Sequence, residues 1–234
     1  MKIAILFSGR INKYDKHYDN IMKCIVQHHE ADFFLSHNSQ LNENVDDFEI
    51  IYKPKTVNRQ LYPYIQEYSS LNLHPLTNMN NFMSMWFHRK IVFENMMEYM
   101  KTTNTKYDLY IQLRLDAFSE EILNIEDIIN NACNNIEKNK GFTVNRDCKD
   151  EFTFTNTVFV PDNCHWGGLN DQMAFGNFET MQKYMLLFND IWTLMKEQPQ
   201  FGPETILLGH LIKNDVNIHY FPFKYKLING KMFH

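Results

Sequence analysis

The chain has 234 residues, 44% of them hydrophobic and 22% charged, which supplies a sizeable core and excludes a disordered chain. A formal net charge of -5, with no more than two consecutive Lys/Arg, speaks against a nucleic-acid partner, because phosphate neutralisation needs a basic surface. No apolar run approaches the ~20 residues of a membrane span, and no Pro/Gly/Ser-rich linker divides the chain, so one domain is expected.

The first residues read as a strand, with no signal-peptide pattern, so the protein is expected to stay in the cytoplasm. Cys24, Cys133, Cys148 and Cys164 have no C-x-x-C spacing, which predicts neither structural zinc nor disulfides. Lys2-Ile3-Ala4-Ile5-Leu6-Phe7 has the continuous apolar character of a central parallel strand, and it ends at Ser8-Gly9-Arg10. Ligands of open α/β sheets bind beyond such strand ends. The turn lacks both the dinucleotide fingerprint and the P-loop pattern. It is either an ordinary strand-to-helix connection or a loop whose N–H groups cradle a nucleotide, with Arg10 adding charge.

Tyr14, Tyr18, Ile21, Met22, Ile25 and Val26 follow helical spacing. Asp32-Phe33-Phe34-Leu35-Ser36 reads as a second strand and Phe48-Glu49-Ile50-Ile51-Tyr52 as a third, stopped by Pro54, with a polar loop at 38–47 between them. Strands alternating with helices predict an α/β fold with a mostly parallel central sheet flanked by helices. Residues 56–81 read as irregular, with one helical turn at 62–68.

Residues 82–100 form the clearest helix. Phe82, Met85, Trp86, Phe93, Met96, Met97 and Met100 share one stripe, and Arg89 occupies the position where the stripe calls for an apolar residue. A buried unpaired charge costs several kcal/mol, so Arg89 needs an anion. A protein carboxylate or a ligand phosphate would serve, since the guanidinium fork suits either. Lys90, at the stripe edge, is placed to snorkel out.

Tyr107-Asp108-Leu109-Tyr110-Ile111-Gln112-Leu113 reads as a buried strand running into Arg114-Leu115-Asp116. Alternation puts Arg114 and Asp116 on one side, where they flank a ligand or pair with each other; Asp116 as a cap of the following turn is the simpler alternative. Ile122, Ile125, Ile129, Ala132 and Ile136 mark a helix capped by Ser119 or Asn124, and strands are expected at 142–144 and 156–160. Cys164-His165-Trp166-Gly167-Gly168 then leads to Asn170-Asp171-Gln172, an aromatic beside polar groups as in many small-ligand sites, although Trp166 as core filling fits equally. A strand at 173–176, one long helix carrying Phe178, Met181, Met185, Phe188, Trp192 and Met195, a helix at 205–213 opened by Pro203 and Glu204, and a strand at 216–221 follow. Glu204 either complements the helix dipole or serves as a base at the cleft. The basic, aromatic tail to His234 is placed to close over the site.

The order of these motifs resembles small GT-A-fold glycosyltransferases of bacterial polysaccharide and large-virus glycan synthesis. The residues that carry the resemblance are S-G-R after the first strand, Y-D-L-Y-I-Q-L-R-L-D, N-D-Q-M-A-F-G before a helix with M-x-x-Y, and a late P-E before an apolar helix. The resemblance implies a single GT-A-like domain over 1–234, with the nucleotide-binding part at about 1–118 and the acceptor and sugar part at about 119–234. It further implies a nucleotide-sugar donor, a glycan or other hydroxyl acceptor, and a divalent cation, Mn²⁺ or Mg²⁺. The usual Asp-x-Asp metal motif is replaced here by Arg114-Leu115-Asp116. Asp116 is therefore the metal candidate, and Arg114 stands ready to take part of the cation's charge-neutralising role. Asp116, Arg114 and a cleft-facing Arg89 are assigned to the diphosphate, Ser8, Gly9 and Arg10 to the nucleotide, and Trp166 with Asp171 to sugar or acceptor. Asp171 is the first choice for base and Glu204 the second. A glycoside hydrolase, which also uses paired carboxylates, and a non-catalytic carbohydrate-binding protein are the competing readings.

Overall fold

The computed structural model describes residues 1–9, 14–38, 45–62, 78–136, 155–197 and 202–227. Arg10, most of the 38–47 loop, the helical turn expected after Tyr62, the strand expected at 142–144 and the tail to His234 lie outside the described residues. At the centre is β1 (Lys2–Ser8), whose apolar run Ile3, Ala4, Ile5, Leu6 and Phe7 is fully buried. β2 (Glu30–Ser36) and β4 (Leu109–Leu113) lie parallel on either side of it, and β3 (Thr56–Asn58) extends β2. β7 (Met173–Gly176) runs antiparallel to β4 and to β6 (Thr157–Pro161), and β8 (Asn217–Phe221) pairs parallel with β6. The order β3-β2-β1-β4-β7-β6-β8 thus has β7 alone reversed, the mostly parallel α/β sheet expected. β5 (Ala117–Ser119) and β9 (Tyr225–Leu227) form a separate antiparallel pair.

Alternation along β1 divides the core. Ala4 and Leu6 face a cluster with Trp86, Phe93, Tyr110, Met181 and Tyr184, while Ile3, Ile5 and Phe7 face one with Ile21, Phe33, Phe48, Tyr52 and Ile111. The first cluster is covered by α3 (Met79–Thr103), capped by Asn78, whose side chain accepts from the Asn81 N–H at 3.1 Å. The second is covered by α1 (Tyr14–Ile21), which continues as a π-helical turn at Met22–Val26. Register then brings the strand ends level, since Ser8 pairs with Ser36, Phe7 with Leu113, and Leu113 with Met173. The polar residues after β1, β2 and β4 therefore share one edge of the sheet.

Three expected elements differ. Phe48–Tyr52 is not a strand but the end of helix α2 (Val45–Tyr52): Phe48 and Tyr52, one turn apart, are buried and stack at 4.3 Å, while Ile50 is 69% exposed. The strand expected there comes later, as β3. The long helix after β7 breaks into α5 (Phe178–Met185), a 3₁₀ turn (Leu186–Asn189) and α6 (Ile191–Glu197), where the Asp190 N–H turns back to the Leu187 carbonyl at 2.9 Å. Ile122 is exposed and precedes α4 (Ile125–Ile136), whose first turn Asn124 caps through the Asp127 N–H.

His88 on α3 is fully buried, its Nδ1 2.9 Å from Ser36 Oγ. Burial, with His37 adding to it, lowers its pKa to about 4. The unfolded chain, with imidazole near 6.5, binds the proton first, so this stability is present above about 6.5 and lost as pH falls through about 4. Urea denaturation should show His88 contributing about 2 kcal/mol of destabilisation between pH 7 and pH 5. His88→Gln should flatten the pH dependence by that amount, and an unchanged slope would contradict the assignment.

Candidate functional site

The anion that Arg89 needs comes from the protein. Arg89 is 1% exposed and Asp171 4%; the guanidinium lies 4.3 Å from the Trp86 ring and its Nη2 donates to the Asp171 main-chain oxygen and, at 3.3 Å, to Oδ2. Arg89 therefore sits beneath the sheet edge, tied to Asp171, and not in the open. Trp86, one turn earlier on the same face of α3, supplies the ring on which its charge rests.

Asp171 is held by its neighbours. Asn170 is fully buried; its Nδ2 donates to the Asn163 carbonyl and to the Tyr225 hydroxyl, both at 2.8 Å, and its Oδ1 accepts from the Gln172 N–H at 2.8 Å. The Tyr225 hydroxyl donates to Gln172 Oε1 at 3.1 Å. Asn170 and Gln172, which the sequence offers as polar groups of a small-ligand site, are thus engaged in fixing the backbone on both sides of Asp171. Tyr225 on β9 carries no local sequence signal for this role.

Past the end of β4 the Arg114 N–H donates to the Gln172 carbonyl at 3.0 Å, and the Ala117 N–H returns to the Arg114 carbonyl at 3.1 Å, so Arg114-Leu115-Asp116 is a tight turn and not a continued strand. Within it Arg114 Nε donates to Asp116 Oδ1 at 2.8 Å and Nη2 to Oδ2 at 2.6 Å, a bidentate pair with Arg114 about one-third exposed. Burial works against the Arg114 charge, but the bonds to Asp116 and the charges of Asp116 and Asp171 outweigh it and raise its pKa. This arrangement does not fit a resident Mn²⁺ or Mg²⁺. Both Asp116 oxygens are taken by the Arg114 guanidinium and Asp171 Oδ2 by Arg89, so of the candidate acids Glu204 alone is not tied to an arginine. Hard cations require several free oxygen ligands.

Glu204 enters from α7 (Pro203–Lys213), in the first turn after Gly202. Its carboxyl is pushed up to about 7, chiefly by burial and then by the Asp171 charge, with Arg89 and Arg114 pulling partly the other way. The helix start is docked by Gly168: a Cβ there would lie 2.2 Å from the Glu204 carbonyl carbon and oxygen and 2.4 Å from the Thr205 nitrogen, and the Leu169 N–H donates to the Glu204 carbonyl at 3.0 Å. In the same loop Cys164 (φ 57°), Trp166 (φ 45°) and Gly167 (φ 81°) take left-handed conformations, and Trp166 is 60% exposed. Burial raises the Cys164 thiol pKa, a hydrogen bond with Tyr225 opposes this, and the charges of Asp171 and Glu204 add to it. Cys164 thus belongs to this cluster, although its sequence spacing pointed to no role.

Arg89, Arg114, Asp116, Asp171 and Glu204 accordingly form one charged group. Ser8 and Gly9 end the strand beside Arg114; Gly9 (φ 98°) donates its N–H to the Ser36 carbonyl at 3.0 Å, and Ser8 Oγ is buried with no hydrogen-bond partner. A cavity of about 530 Å³ lined by Leu123, Asp127, Ile128, His219, Phe221 and Phe223 contains none of these residues.

No protein-family profile and no curated protein sequence matches the chain. Its fold is similar to that of solved glycosyltransferases. Mouse xyloside xylosyltransferase 1 is 10% identical with a TM-score of 0.49, over 94% of this chain and 85% of that one. A glycosyltransferase involved in the glycosylation of the major capsid of PBCV-1 is 14% identical with a TM-score of 0.40, over 95% and 82%. The glycosyltransferase GlyE of Streptococcus pneumoniae is 10% identical with a TM-score of 0.42, over 94% of this chain and 45% of that one. At these identities and TM-scores the likeness carries no argument about function, which is argued from the site residues.

Two outcomes follow from the packing. Gly168→Ala should cost about 1–3 kcal/mol in urea denaturation, as overpacking does; a neutral result would show that α7 is not docked through this glycine. Arg89→Met, which leaves Asp171 buried and unpaired, should cost about 3–5 kcal/mol, and adding Asp171→Leu should recover most of it. Strictly additive losses would contradict a coupled pair.

Proposed function

We propose that the protein is a glycosyltransferase that moves a sugar from a nucleotide-sugar donor to a hydroxyl of a glycan or other acceptor. The feature that carries the reading is the half-buried Glu204 carboxyl, its pKa pushed up to about 7, set beside two guanidiniums at the edge of an α/β sheet where ligands bind. Strongly shifted acids beside specific charge partners mark functional sites.

The reaction breaks the bond between the anomeric carbon and the diphosphate oxygen and forms one to the acceptor oxygen. Negative charge grows on the leaving diphosphate, and fixed positive donors stabilise it. Arg114 is the partly exposed donor for that charge, and Asp116 holds its fork in position. Arg89 contributes through its field and through Asp171. The acceptor proton needs a base whose pKa lies close to the working pH. Asp171, the first choice from sequence, is bound to Arg89; Glu204 takes the role, with the Asp171 charge helping to keep its carboxyl basic. Ser8 and the Gly9 turn hold the nucleotide beside Arg114, and the exposed Trp166 ring offers a face to the sugar or acceptor.

Wild-type protein offered a panel of nucleotide-sugars and glycan acceptors should release nucleoside diphosphate and glycosylated product, with a rate that falls about tenfold per unit as pH drops below about 7. Glu204→Gln should lower kcat by roughly 10²–10⁴-fold with donor KM little changed. A Glu204→Gln rate within a few-fold of wild type would remove it as the base. Cleavage of simple glycosides without any nucleotide would favour a hydrolase, and saturable sugar binding without turnover a carbohydrate-binding protein.

A further inference from the structure

His28, His29 and Glu126 form a second constellation, away from the charged group. His29 directly precedes β2, and the seven residues of that strand carry the chain to Ser36 at the opposite edge, roughly 20 Å away. Each of the three side chains offers one ligand atom, and these atoms all lie within 4.8 Å of one another. His28 Nε2 is 3.8 Å from Glu126 Oε1, and the two imidazole centroids are 4.1 Å apart. His29 is 93% buried, and its Nδ1 is enclosed with no hydrogen-bond partner. Such a nitrogen is costly in a core unless something binds the ring.

The backbone around the three is fixed. Gln27 takes a left-handed conformation (φ 53°), its N–H donates to the Met22 carbonyl at 2.7 Å, and the His29 N–H donates to Val26 at 2.9 Å. The turn is tied to the start of α4 by Gln27 Nε2 donating to the Leu123 carbonyl at 2.6 Å and by the Leu123 N–H donating to Cys24 at 2.8 Å. Glu126 sits in the first turn of α4, which the Asn124 cap holds in place. Two ligands from one turn and a third from almost a hundred residues later are therefore brought together on anchored backbone, the precondition for a metal site. Two imidazoles that face one carboxylate, and repel once both are protonated, make a poor salt-bridge arrangement and a good coordination set. Imidazole nitrogen with one carboxylate suits zinc and its transition-metal neighbours, not Mg²⁺ or Ca²⁺.

We infer that His28, His29 and Glu126 bind a transition-metal ion of the zinc class, with water completing the coordination, and that the ion staples the turn after α1 to α4. The site does not rest on the glycosyltransferase reading and takes no part in that chemistry.

The test uses the tag-free full chain, stripped with chelator and titrated with Zn²⁺ by calorimetry, with Mg²⁺ as control. One Zn²⁺ per chain should bind saturably, the melting temperature should rise with Zn²⁺ and not with Mg²⁺, and Co²⁺ should give the visible absorption of a low-coordinate site. His28→Ala and Glu126→Gln alter exposed side chains; each should weaken Zn²⁺ binding at least tenfold with an unchanged circular dichroism spectrum. Absence of saturable binding would overturn the site. Binding of equal strength in the double variant would mean adventitious ions held elsewhere, and would overturn it as well.

Discussion

The contact between Arg89 and Asp171 is the constraint on which the rest of the site depends. A guanidinium in the middle of an apolar helix face is tolerated only because a carboxylate, a main-chain oxygen and the Trp86 ring meet it there. Such a pair adds little net stability compared with well-packed apolar residues, but it allows only one placement of the partner. That placement sets Asp171 just before β7, and from it follow the bond from the Arg114 N–H to Gln172, the Tyr225 bridge between Asn170 and Gln172, and the docking of Gly168 on α7. The buried pair thus fixes geometry for charges it does not itself expose.

Electrostatics then distinguish three acids of similar chemistry. Asp116 is tied by two hydrogen bonds to Arg114 and Asp171 by one to Arg89, whereas Glu204 is half-buried without such a bond to either arginine and its pKa is pushed up to about 7. On the proposed transferase reading, Arg114 brings to the Arg-Leu-Asp turn the positive charge that a cation would bring at an Asp-x-Asp motif. A guanidinium offers directional, bidentate donors to a diphosphate and does not dissociate.

Much of the frame could be read from the sequence, because burial on both faces leaves a continuous apolar run. β1, β2, β4 and α3 fall where periodicity places them, and Arg89 stood out as a break in a stripe. Short apolar runs are ambiguous: Phe48 to Tyr52 contains enough β-favouring residues for a strand, and only the exposure of Ile50 reveals the helix. The break near Asp190 is hidden because the apolar spacing continues across it. The pairing of Arg89 with a residue 82 positions away, the shifted Glu204 carboxyl and the approach of Tyr225 and Cys164 are products of tertiary packing, which no local pattern encodes.

On the proposed function, Arg114 and its partners receive a nucleoside diphosphate without the help of a bound cation. Thermal unfolding of the chelator-treated protein with UDP, GDP, UMP and free sugars tests this most directly. The account predicts that a diphosphate raises the melting temperature in chelator as well as with Mn²⁺, that monophosphate and free sugar do so far less, and that Arg114→Ala abolishes the shift. A shift that appears only with Mn²⁺, or that survives intact in Arg114→Ala, would contradict it.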